Sequence, residues 1–401
     1  MKQKIFAVLV ILITAFLCIK SSLNGGDFDI FLDAGLKIKN GENIYAPPYV
    51  RGLQYYYSPL FALILVPFTS SFIITESLWL LLCAFLTYRT WVLSEKYFTT
   101  TTLSSKQMNL WRFLSFFIAL QFILYNIDWV QMTAFLLWSV FEAIHLFKNK
   151  RSITGALLLA LAINIKLLPL VFIPYLLYRA YYKETIYICL FSVILIFLPS
   201  IFIGNEYNSF LLTEWWKVIN PTNTEHLFET DPGTLSLVSL IPHLVYQNDM
   251  VNLAPDKVEL LINGSRLLLV MITLLFLRTL PFKKENNALK SFWEIAYILL
   301  LIPLIFPHQQ KYAFLFAIPL FIYLIYYFIS TWHLPKTWTY KIVFALLILS
   351  SIVFSPLHGA DIIGRPLYEL SKEMRMLTIC SLMLIPIALW CNPNKIEKTK
   401  I

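Results

Sequence analysis

The chain has 401 residues, 58% of them hydrophobic and only 14% charged, with a mean hydropathy of +0.68. A soluble domain carries about 25% charged residues; a chain this apolar cannot cover its surface in water, so a soluble enzyme is excluded and the solvent is lipid. The formal net charge of +9 then reads as basic cytoplasmic loops and not as a nucleic-acid interface.

In chain order, Lys2 and Lys4 precede an apolar run to Ile19 that has the outline of a secretory signal. Phe16 and Leu17 break the small-residue pattern that cleavage near Cys18 needs, so the reading is an uncleaved first helix. Apolar periodicity predicts an all-α, polytopic membrane protein with twelve spanning helices, near 4–20, 73–93, 108–125, 129–147, 152–166, 167–182, 185–203, 260–280, 291–307, 310–330, 338–357 and 374–391. The fifth and sixth are short and meet at Lys166–Pro169, which predicts a tight hairpin at the outer face. Pro59–Phe68 has only about half the length needed to cross ~30 Å and reads as a re-entrant or interfacial helix. Two long loops remain, at about 21–72 and 204–259, appended to what reads as a single membrane domain over 1–401. The first holds an amphipathic helix, with Ile30, Phe31, Ala34, Leu36 and Ile38 on its apolar face and Gly41 at its end. The second carries Trp215 and Trp216, an acidic stretch rich in Pro and Asn, and an apolar tail expected to lie along the membrane surface. The five cysteines (Cys18, Cys83, Cys189, Cys380, Cys391) show no close pairing, which argues against a disulfide framework or a zinc site.

Lys and Arg set the orientation. Lys2, Lys4, Lys96, Lys106, Lys148, Lys150, Arg151, Arg179, Lys183, Arg278, Lys283, Lys284, Lys290, Lys336, Lys341, Lys395, Lys398 and Lys400 fall on one set of connections. The loop at 204–259 has only Lys217 and Lys257 against several acids. Both termini are therefore expected in the cytoplasm and both long loops outside.

Under that topology several polar clusters share the outer side, a convergence that points to one site. Asp27 follows Gly25-Gly26 directly past the first helix, where a carboxylate in a partly dry cleft can take a proton from a sugar hydroxyl. Asp29 and Asp33 follow it; a solvated loop beside headgroups is the competing reading for both. Lys166 ends an apolar run, either snorkelling or acting as a phosphate ligand with Asn164 nearby. His308 and Lys311, with Gln309 and Gln310 between them, form either a polar turn or a set of donors for a phosphate. Gln131 marks the turn between the third and fourth helices with Asn126 and Asp128. No P-loop, dinucleotide fingerprint, HExxH or paired-cysteine motif is present, so nothing supports a nucleotide-using enzyme.

The stretch DFDIFLDAGLKIKNGENIY followed by YYYSPLFALILVPF resembles the opening of glycosyltransferase family 87. Asp27, Phe31, Ala34, Gly35, Gly41, Tyr45, Tyr57, Pro59, Leu60 and Phe61 match that opening, and Ser58 stands where the family has proline. VQMTAFLLW resembles the family's Gly-Gln helix start, with Val130 in the place of glycine. GALLLALAINIKLLPLVFIPYLL resembles its Gly-apolar-Lys-x-x-Pro segment through Gly155, Lys166 and Pro169, and PHQQKYAFLFAIPL resembles its late turn. The resemblance implies a GT-C-type helical bundle and a polyprenyl-phosphate sugar donor, typically of mannose. It further implies inversion at the anomeric carbon, with Asp27 as catalytic base. Lys166, His308, Gln131, Tyr57, Lys311 and Asp29 form the candidate substrate-binding set. The expected partners are that donor, a glycan or glycolipid acceptor and the bilayer; no nucleic acid, cofactor or metal is expected. The expected location is the plasma (inner) membrane, multi-pass, with the site facing outward. A transporter or flippase of a lipid-linked or anionic solute is the alternative, against which stands the lack of a visible repeat with helices broken at matching places.

Overall fold

The computed structural model describes residues 2–98, 103–220, 228, 231, 233–246, 253–277 and 282–397, with the backbone alone for 2–7 and 397. Arg278, Lys398, Lys400, the side chains of Lys2 and Lys4, and most of the acidic stretch of the second loop lie outside the described residues. Every regular element among the described residues is helical. The chain divides into two compact units, one of residues 1–93 and 124–223, the other of residues 94–123 and 224–401.

A helix stands at each of the twelve expected places, but they do not all qualify as spans. Six are long and apolar enough to cross a membrane: 72–98, 105–128, 182–203, 255–277, 288–305 and 311–330. Two bent pairs, 8–24 with 28–39 and 365–373 with 376–390, raise the number to 8 if each is one span. The helices at 133–148, 152–165, 168–178 and 338–354 are 17 residues or shorter. At ~1.5 Å per residue these reach about 25 Å at most, short of a ~30 Å core. Hydropathy alone found the segments but not their lengths.

In the first unit, α1 (Lys2–Asn24) gives way to α2 (Phe28–Lys39) across a 58° bend. α2 is the expected amphipathic helix. It buries Phe28, Ile30, Phe31, Leu32, Ala34 and Ile38, while Leu36 is half-buried and Asp33 pairs with Lys37 at 3.2 Å on the other face. It ends at Gly41, φ +74°, with Gly41 N–H donating to Ile38 C=O at 3.3 Å and Glu42 N–H to Lys37 C=O at 2.9 Å. This is the paired C-terminal closure that favours glycine. The short helix α3 (Pro59–Leu65) starts from Ser58, whose Oγ accepts the Phe61 N–H at 3.3 Å. Ser58 sits at φ −68°, the angle a proline ring fixes, so this backbone suits either residue and serine adds the cap.

α4 (Phe72–Glu95) follows, then the end of α5 (Ser105–Asp128), and then α6 (Thr133–Lys148) and α7 (Ser152–Ile165), which pack together. Gly155 allows this approach: a Cβ there would lie 2.6 Å from the Phe147 ring and 3.0 Å from the Ala143 carbonyl. The expected hairpin at Lys166–Pro169 is not formed. α7 packs on α6 and on α9 (Tyr182–Phe197), and α8 (Phe172–Tyr178), which follows a 3-10 turn at Leu168–Val171, packs on α9 instead. Lys166 is extended (φ −145°, ψ 125°) and Pro169 opens the next turn, so the chain steps away from α7 instead of doubling back along it. After the short α10 (Ser200–Ile203), α11 (Asn205–Ile219) braces the first loop: Trp215 Nε1 donates to Tyr56 C=O at 3.3 Å, Asn43 Nδ2 to Glu214 at 3.3 Å, and the Tyr207 hydroxyl to Glu42 C=O.

The second unit is built on α14 (Ala288–Ile305) and the helix that runs into α15 (Ile318–Ser330), apolar on all sides and buried almost throughout. Such helices form an interior. The apolar tail of the second loop folds as a helix. It is α12 (Leu237–Tyr246), whose Val238 and Val245 pack with Val258 and Ile262 of α13 (Pro255–Leu277). That contact buries Val238 and Val245, while Leu244 and Tyr246 stay exposed.

Candidate active site

The site is organised by the turn between α1 and α2. Gly25 has φ +64°, and a Cβ on it would lie 2.2 Å from Arg51 Nη2 and 2.4 Å from Asp29 Oδ2. At Gly26 a Cβ would lie 2.5 Å from the Trp129 carbonyl oxygen. Only glycine lets the chain pass here, which delivers Asp27 against the turn that leads into α6. The Asp27 N–H donates to Trp129 C=O at 3.0 Å, and Gln131 Nε2 donates to the Asp27 carboxylate.

Gln131 is itself held on three sides. Its N–H donates to Asn126 C=O at 2.8 Å, and its carbonyl accepts from Trp79 Nε1 at 3.3 Å and Cys83 Sγ at 3.7 Å. Its buried Oε1 has no partner among the described residues. Val130 between them is fully buried at φ +48°, a conformation that costs a β-branched residue free energy and that glycine adopts freely. Val130 therefore occupies a left-handed position that suits the glycine it replaces.

Lys166 reaches the same unit from the break after α7, outside every candidate span. Its Nζ donates to the Tyr57 hydroxyl at 3.2 Å and lies 5.0 Å from the centre of that ring. Burial pulls its pKa down from the usual lysine value to about 8, and the nearby Asp27 carboxylate offsets part of the effect. Tyr57 is locked from behind: Tyr45 donates to its carbonyl at 2.8 Å, and Phe31 packs edge-on at 4.4 Å between ring centres. Burial, the main cause in both, pushes the Tyr45 and Tyr55 phenols well above their ordinary value, so both act as neutral donors. Asn164 does not extend the polar set, because its Oδ1 accepts from Ser58 Oγ at 2.9 Å and ties α7 to the cap of α3.

Asp27, Gln131, Tyr57 and Lys166 thus come together in one unit. Asp29 accepts from Arg51 Nε at 2.7 Å, and Arg51 Nη2 also donates to Asn24 C=O at 2.8 Å. His308, at φ +56°, and Lys311, whose Nζ lies 6.0 Å from the centre of the Tyr368 ring, belong to the second unit. Two residues escaped the sequence reading. Arg51 lies in a polar turn and carries no local signal. Glu76 is a lone acid in the first turns of an apolar helix, a legible sign of function at membrane depth.

Among the described residues the chain is an all-helical membrane protein in which a carboxylate and a partly buried lysine share one unit with a tyrosine-rich loop. The family model of glycosyltransferase family 87 matches residues 55–307, more than half of the chain. The chain belongs to that family and is a glycosyltransferase. No curated protein and no solved structure matches it.

Proposed function

We propose that the protein transfers a hexose, mannose foremost, from a polyprenyl-phosphate donor to a hydroxyl of a glycan or glycolipid, within a GT-C-type bundle. Its location is the plasma (inner) membrane and its site faces outward, in line with the basic residues on the opposite connections. Asp27 acts as general base. Its carboxylate takes the acceptor O–H proton as that oxygen attacks the anomeric carbon, the bond from that carbon to the phosphate oxygen breaks, and the configuration inverts. The leaving phosphate gains charge, which the Lys166 ammonium offsets. Tyr57 sets the position of that ammonium, and Gln131 orients the base.

The observation that carries this reading is Asp27 itself, held by Trp129 and Gln131, with a buried Gln131 Oε1 that lacks a donor and suits an acceptor hydroxyl. No nucleotide is needed, since the donor's phosphodiester supplies the driving force. The test is transfer from a labelled polyprenyl-phosphate hexose in proteoliposomes. Asp27→Asn is expected to lower turnover by about 10²–10⁴-fold while donor binding persists. Turnover near that of the parent removes Asp27 as base, and solute counterflow without transfer favours a transporter.

A further inference from the structure

Glu76 lies in the first turns of α4, only 1% exposed, and neither of its carboxyl oxygens meets a hydrogen-bond donor among the described residues. The group within hydrogen-bonding reach is a second carboxyl, that of Asp29, and Arg51 lies close enough to both to act on them electrostatically. Asp29 and Arg51 are the charged groups that face Glu76, from α2 and from the turn at Val50–Gly52. The hydroxyls of Ser22 and Ser77 lie 2.7 Å apart, and each is 2.8 Å from a helix carbonyl, of Ile19 and Ile73 respectively; these acceptors take up their two protons, so neither supplies Glu76.

Two carboxylates in contact and out of water repel, and one arginine neutralises only one of them. The arginine is already spoken for: its Nε lies 2.7 Å from Asp29 Oδ2. A proton held on the other acid removes the repulsion and turns an orphan acceptor into a donor.

We propose that Glu76 holds a proton and donates its O–H to the Asp29 carboxylate, as a positioning residue for the base. Asp29 is then gripped from two sides, by Glu76 and by Arg51. That grip passes directly into the turn that carries Asp27. The Asp29 N–H donates to Gly26 C=O at 3.2 Å, Arg51 holds Asn24 C=O at 2.8 Å, and both groups crowd Gly25. Residues 24–29 are therefore clamped around Asp27 with no contact from Glu76 to substrate. The inference rests on Asp27 as base, but its first test does not.

The infrared difference spectrum of the parent protein minus Glu76→Gln, in lipid at neutral pH, is expected to show the carbonyl band of a protonated carboxyl. A difference made only of ionised-carboxylate bands overturns the proposal whatever the enzyme does. In transfer assays Glu76→Gln, neutral and still an N–H donor, is expected to stay within about threefold of the parent. Glu76→Leu, which offers no donor, is expected to lower kcat by about tenfold, as one lost hydrogen bond does, with the donor KM unchanged. Equal damage from Gln and Leu, or a loss confined to KM, refutes the positioning role. If Asp27→Asn keeps its turnover while the infrared band is present, the reading of the base has failed and the proton on Glu76 stands.

Discussion

Replacing Lys166 by Gln separates a working ammonium from one that merely reaches for water, because the two readings differ in the sign of the stability change. The ammonium is held where its pKa is about 8 instead of 10.5. At about 1.36 kcal/mol per unit, this shift means that folding the charged form costs about 3 kcal/mol. The side chain keeps some access to solvent, which trims the cost to about 2 kcal/mol. Gln escapes that cost and gives up the hydrogen bond to the Tyr57 hydroxyl, worth about 1 kcal/mol. The variant is expected to be more stable than the parent by about 1 kcal/mol at neutral pH and less active by about ten- to a hundredfold, the exchange expected of a strained functional group.

The pH dependence has a definite sign. The unfolded chain holds the lysine proton up to about 10.5, while the folded protein releases it from about 8 upward. Between these values the unfolded state binds more protons, so the parent's stability rises with pH across that window and levels off above it. The Gln variant lacks this rise. Transfer by the parent falls as pH passes about 8, when the charge that offsets the leaving phosphate is lost. Lys166→Arg is expected to recover part of the activity and to keep it at higher pH, although its planar fork differs in shape from an ammonium. Thermal unfolding in detergent at several pH values, beside transfer at sub-saturating donor, checks both halves. A Gln variant that is less stable than the parent at neutral pH, or equally active, refutes the reasoning.

At position 130 the usual ranking of Ala over Gly reverses: with φ at +48°, Val130→Gly is expected to be more stable than Val130→Ala by about 1 kcal/mol, measured as a difference in melting temperature. Gly26→Ala drives a methyl to 2.5 Å from the Trp129 carbonyl that holds Asp27. Loss of about 3 kcal/mol of stability, together with a fall in kcat, is expected, and unaltered kinetics exclude this approach as the source of Asp27's position. Ser58→Ala removes a helix cap and leaves Asn164 Oδ1 without its donor. Its cost is about 2–3 kcal/mol, and denaturation of Asn164→Leu alone and of the double variant shows whether the two losses overlap, as a shared bond requires.

Much of the molecule was legible without a structure because the signals are local. Composition alone demands lipid, since 58% hydrophobic residues leave no aqueous option. The apolar periodicity of 28–39 and the glycine at 41 mark a helix and its end, and both hold because a helix and its closure bond within a few residues of themselves. Asp27 and Tyr57 stand out in the loop's motif and Lys166 as a charge at the end of an apolar run, and the fold brings the three into one unit.

The tertiary structure decided what depends on distant partners. Four of the twelve expected spans are short because the backbone turns at Lys150, Lys166, Ala180 and Ser355 end them, whatever the hydropathy. The apolar runs on either side of Lys166 look like partners in sequence, yet α7 pairs with α9, since the extended Lys166 and Pro169 turn the intervening segment away. Gln131 meets Asp27 across 104 positions and Ser58 meets Asn164 across 106. Asp29 reads the same whether it faces substrate or Arg51, and Glu76 reads as a lone acid until α2 brings a second carboxyl beside it. The types of side chain that carry the chemistry are written in the sequence. Which of them share a proton, a hydrogen bond or a charge is settled only when packing brings far parts of the chain within about 3 Å of one another.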